Sequence, residues 1–78
     1  MRSKRELLKY YLNKRGISTT NIGTLIDMGL ISEKAIIRYL VREEYVERKG
    51  RNNHYVIQAE LSTKYFVSIA TVQNYIYS

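Results

Sequence analysis

Apolar residues in this chain recur at three- and four-residue spacing in short runs, each stopped by glycine or opened by a hydroxyl or amide side chain. Such punctuation limits the chain to short helices and brief connections. Leu7, Leu8, Tyr11 and Leu12 form the first stripe, over about Lys4 to Arg15, and Gly16 supplies a left-handed cap behind it. Ser18, Thr19, Thr20 and Asn21 are good N-cap residues ahead of a second stripe at Ile22, Leu25 and Ile26, which Gly29 ends. Ser32 then opens a third helix with its apolar face at Ile36, Ile37, Leu40 and Val41. After Glu44 the reading changes. Tyr45-Val46-Glu47-Arg48, the Lys49–Asn53 stretch and His54-Tyr55-Val56-Ile57 predict strand, turn, strand, since Tyr, Val and Ile favour strands and a Gly/Asn cluster suits a tight hairpin. Helical signals return over about Ala59–Phe66 and Ile69–Tyr77, with Ser68 as the cap between them.

At 78 residues the chain has room for one compact domain, or one domain with a short appendage, with an economical core or one completed by a partner. It contains no cysteine, which removes disulfides and thiolate metal sites. No apolar run approaches the roughly 18–20 residues that cross a bilayer, so no membrane role is expected and the predicted location is cytoplasmic, in association with the nucleoid. The net charge of +6 is unevenly distributed. Arg2, Lys4, Arg5, Lys9, Lys14 and Arg15 face only Glu6 near the start, and Arg48, Lys49 and Arg51 face Glu47 further on. From Gln58 onward only Lys64 and Glu60 are charged. Clustered positive charge points to a polyanion.

Three helices followed by a hairpin resemble the winged helix-turn-helix superfamily of DNA-binding proteins. Glu6–Leu12 is similar to its first helix, Ile22–Gly29 to its second, Ile31–Leu40 to the turn and third helix, and Glu44–Ile57 to its wing. The resemblance covers about residues 5–57 and implies a mainly α fold with a small β-hairpin, followed by two short C-terminal helices. On that reading residues 1–57 form the winged domain. Residues 58–78 form a helical pair, packed on it or at a dimer interface. The charge pattern points the same way. Lys34, Arg38 and Arg42 stand four apart on the third helix, where like charges repel by a few tenths of a kcal/mol unless an anion meets them. In a major groove they would reach phosphates and guanine edges, with Ser32, Glu33 and Ala35 nearest the bases. Glu33 could accept from a cytosine or simply favour the helix dipole. The wing would add Arg48, Lys49, Arg51, Asn52, Asn53 and His54, and the N-terminal arm Arg2, Lys4 and Arg5.

The stretch Gln58–Ile76 resembles a bacterial helix-turn-helix, with Leu61 and Ser62 on its first helix, Val67-Ser68 at the turn and Thr71, Val72 and Ile76 on its second. Phe66 departs from that pattern at a turn position where glycine is usual. Ser68, Thr71, Gln73 and Asn74 would make a second reading helix, but the segment offers phosphates only Lys64. Tyr65, Phe66, Tyr75 and Tyr77, with Val67 and Ile76 beside them, would instead suit a dimer interface or complete the core.

Catalysis has no visible apparatus. His54 and Asp27 are the sole histidine and aspartate, the glycines are isolated, and no histidine or carboxylate pair has metal-ligand spacing. The expected protein is a non-enzymatic, sequence-specific binder of double-stranded DNA, acting as a homodimer and a transcriptional regulator of the small phage, plasmid or mobile-element kind. No cofactor and no small-molecule substrate are expected. The alternative is an interaction module that uses the same scaffold to bind a polymerase subunit or another protein of the transcription machinery. Base stacking of tyrosines on single strands is a third option.

Overall fold

A computed structural model describes residues 3–77, and among these there are five helices and no strand. They are α1 (Lys4–Lys14), α2 (Ile22–Asp27), α3 (Glu33–Arg48), α4 (His54–Tyr65) and α5 (Ile69–Tyr77). The hairpin wing expected over residues 45–57 is absent, and the fold is all-helical. Burial explains why. It falls at Ile36, Leu40, Val41, Glu44 and Tyr45, a helical period that runs through the first predicted strand and leaves Val46 in solvent. Glu and Arg favour a helix more than Tyr and Val oppose it, and β propensity depends on having a sheet to join. The second predicted strand is the first turn of α4. Its buried residues, Ile57, Gln58, Leu61 and Tyr65, again follow helical spacing. The Gly/Asn cluster closes one helix and opens the next. Gly50 lacks the positive φ that a tight hairpin would need, and Asn53 caps α4 by accepting from the Tyr55 amide at 2.8 Å.

The chain divides into two units, Met1–Leu40 and Val41–Ser78, with the boundary inside α3. In the first, Ser3 caps α1 by accepting from the Glu6 amide, and Leu8, Tyr11, Ile22, Ile36 and Leu40 are buried. Helices α1 and α2 end in the same way. Gly16 and Gly29 take left-handed backbone at φ 79° and 76°. The next amide, Ile17 or Leu30, bonds back to the Leu12 or Leu25 carbonyl, while each glycine amide bonds to Asn13 or Ile26. This paired closure satisfies carbonyls that a helix end leaves open. Ser32 then caps α3, accepting from the Ala35 amide at 3.1 Å.

The second unit comprises the C-terminal part of α3 with α4 and α5, and buries Val41, Tyr45, Ile57, Leu61, Tyr65 and Val72. Phe66, Val67 and Ser68 join α4 to α5. The left-handed position that glycine fills after α1 and α2 is occupied here by Phe66, at φ 56° and ψ 44°. The closure still forms, with the Val67 amide bonded to the Ser62 carbonyl at 3.1 Å and the Ser62 hydroxyl donating to the Val67 carbonyl. Ser68 caps α5 through the Thr71 amide at 3.1 Å.

Two buried polar residues anchor this unit. Glu44, 4% exposed, accepts from Lys64 Nζ at 2.6 Å and from the Tyr65 hydroxyl, with Arg48 Nη2 at 3.7 Å. Gln58 accepts from Gln73 Nε2 at 3.1 Å and donates to the Tyr77 hydroxyl at 3.5 Å. Each joins α4 to a neighbouring helix, and in each the cost of burying a polar group is offset by its partners.

Candidate nucleic-acid interface

The folded chain sorts its cations into those held by carboxylates and those left to solvent. In the first unit Lys4 bonds to Glu33 at 2.7 Å and Arg5 to Asp27 at 2.9 Å. In the second, Arg48 pairs with Glu60 at 2.8 Å, and Lys64 with Glu44. The Lys4 hydrogen bond and its charge hold the Glu33 carboxyl below the ordinary glutamate value. Of the predicted N-terminal arm, Arg2 lies outside the described residues. Lys4 and Arg5 belong to α1 and are drawn into surface ion pairs.

Lys34 and Arg38 are different. Both are exposed on the first turns of α3, opposite the buried Ile36 and Leu40, and neither has a carboxylate partner among the described residues. Ala35 beside them is exposed and small, which would let a helix approach a surface closely. Ser32 is committed to the cap and Glu33 to an ion pair with Lys4, so the helix-dipole reading of Glu33 fits this geometry better than cytosine recognition. In the second unit Arg42, Lys49 and Arg51 are likewise exposed and without a carboxylate partner among the described residues.

The remaining residues of the expected wing are redistributed. Arg48 is the last residue of α3, and Lys49, Arg51 and Asn52 lie in the α3–α4 connection. Asn53 is an N-cap, and His54 opens α4 with its Nδ1 2.6 Å from the Tyr45 hydroxyl. On α5 the polar residues proposed to read bases serve the fold: Ser68 and Thr71 bond to each other at 2.9 Å, Gln73 is bonded to Gln58, and Asn74 also has a partner. Among the dimer candidates Tyr65 is buried on Glu44 and Tyr75 is partly buried, whereas Phe66 (91%) and Tyr77 (67%) stand in solvent.

Sequence reasoning missed the burial of Glu44 and Gln58 and the grouping of Tyr45, His54 and Tyr77. The signal was present: Glu44 and Tyr45 stand three and four residues after Val41, and Gln58 follows Ile57 on the buried face of α4. No family model, no curated protein and no solved structure matches this chain. No helix of the described residues is long and apolar enough to cross a membrane, and no group of three metal-ligating side chains occurs among them.

Proposed function

We propose that this protein binds double-stranded DNA through the leading turns of α3 and serves as a small transcriptional regulator. The observation that carries the reading is the exposed, unpaired state of Lys34 and Arg38 on a helix launched by a glycine-closed turn and a serine cap. Neighbouring cations are held by Asp27 and Glu33, so these two are left for an external anion. In a major groove Arg38 would reach a guanine edge or a phosphate, Lys34 a phosphate, and Ala35 would permit close approach. No wing takes part. Fluorescence anisotropy with the duplex obtained by random-site selection tests it. The double variant Lys34→Ala, Arg38→Ala is expected to weaken binding by more than about tenfold and to flatten its dependence on salt, each lost phosphate contact reducing the slope by about 0.9. Unchanged affinity and slope would overturn the reading.

A second reading draws on the second unit, where α5 carries no charge and its polar residues serve the fold, while Phe66 and Ile69 are exposed. That surface suits a protein contact, with a second copy of the chain or with a component of the transcription machinery. Mass in solution separates the two: a dimer that Phe66→Ser dissociates supports self-association.

A further inference from the structure

One face of α3 in the second unit borders an open groove of about 430 Å³, within the size range of small-molecule sites. Its floor is apolar and aromatic: Tyr45 and Val46 from α3, Ile76 and Tyr77 from α5. The Tyr77 ring is largely exposed and meets Tyr45 edge-on, at 6.5 Å between centroids. Its rim is Arg42, Lys49 and His54, and no carboxylate lines it. Arg42, Tyr45 and Val46 share this face because they follow the helical three- and four-residue repeat, and Lys49, just past the end of α3, continues it with its amide bonded to the Tyr45 carbonyl at 2.9 Å.

Hydrogen bonds link the polar side chains around the groove. Gln73 donates to Gln58 Oε1, and Gln58 Nε2 donates to the Tyr77 oxygen. Tyr45, its ring edge-on to that of Tyr77, holds its hydroxyl 2.6 Å from His54 Nδ1. With the Tyr45 hydroxyl as donor to Nδ1, the proton of the neutral imidazole sits on Nε2 and the ring is a donor. The rim therefore presents an arginine fork, a lysine ammonium and an imidazole N–H, three kinds of donor with no carboxylate against them. A carboxylate has two oxygens to offer such a set, and a terminal phosphate has three. The exposed tyrosine ring and Val46 in the lining suit a flat base.

We propose that this groove binds one nucleotide unit, its phosphate on Arg42, Lys49 and His54 and its base against Tyr77 and Val46. The source is a free mononucleotide or a nucleotide of a single strand. The site lies wholly in the second unit and is independent of duplex binding through Lys34 and Arg38.

The test is a ¹⁵N–¹H titration of the full chain with adenosine monophosphate, inorganic phosphate, adenosine and a short single-stranded oligonucleotide. The mononucleotide is expected to shift amides of residues 42–49, 54 and 76–77, and to bind at least about tenfold tighter than phosphate or adenosine alone. Arg42→Gln with Lys49→Gln, both exposed in the folded chain, should reduce that affinity by about tenfold or more. Lys34→Ala with Arg38→Ala should leave it unchanged. Groove shifts with the oligonucleotide alone, lost in the Arg42/Lys49 variant, would support the site and assign the strand as its source. The proposal is overturned if neither ligand shifts the groove amides, or if the mononucleotide binds no tighter than phosphate and the oligonucleotide leaves the groove silent. Mapping on the unaltered chain decides this even if a variant fails to fold.

Discussion

Phe66 holds a backbone conformation that costs a side-chain-bearing residue roughly 1 kcal/mol relative to glycine. Its ring is 91% exposed and recovers little of that by packing. Phe66→Gly is therefore expected to stabilise the chain by about 1 kcal/mol in urea unfolding, although a glycine substitution elsewhere in a helical protein usually weakens it. Gly29→Ala, at a φ of 76° where no neighbouring atom would meet the new methyl, should cost a similar amount. Tyr45 shows a different residue-scale effect. The hydrogen bond with Tyr77, with burial and the neighbouring phenol's charge adding to it, raises its hydroxyl above the ordinary tyrosine value of 10.0. A proton held more tightly in the folded chain favours folding, fully so below pH 10.0 and progressively less as pH climbs through the raised value. Thermal melts from pH 9 to 12 should show a steeper alkaline loss for the unaltered chain than for Tyr77→Phe, which removes the main cause of the shift.

Among the elements, α1, α2, the first part of α3 and most of α5 were legible because apolar spacing, caps and glycine stops agreed with one another. Residues 45–57 were not, because two signals competed. Tyr45, Val46, Tyr55 and Val56 carry strand propensity, and Gly50 with the asparagines fits a hairpin as well as a helix junction. What decided it was non-local. Glu44 finds Lys64 and Tyr65 twenty and more residues away, and a buried carboxylate at that position requires the helix to carry it inward. The site suffered accordingly: Lys34, Arg38 and Arg42 were placed on an exposed helical face, whereas the wing residues were grouped on a hairpin that does not form. Asn53→Ala, which removes the α4 cap, is expected to cost about 1 kcal/mol and to lower helical ellipticity at 222 nm. Under a hairpin the ellipticity would not move.

For the molecule as a whole, electrostatics divides into two populations with different responses to salt. The exposed pairs Lys4–Glu33 and Arg5–Asp27 contribute at most about 1 kcal/mol each, and salt weakens them. The buried carboxylate of Glu44 is screened far less. Lys64→Met leaves it with a lost partner and is expected to destabilise the fold by about 1–3 kcal/mol in urea unfolding, with little change between low and high salt. Stability should thus vary weakly with ionic strength while the proposed duplex affinity falls steeply, and parallel titrations of the two quantities measure the contrast. The turn before α5 has a practical consequence at the same scale. Phe66 is the chain's sole phenylalanine, and it stands in solvent. Biosynthetic incorporation of 4-fluorophenylalanine would therefore place a single fluorine on the surface and none in the core, giving one ¹⁹F resonance whose frequency registers any molecule that settles on that turn.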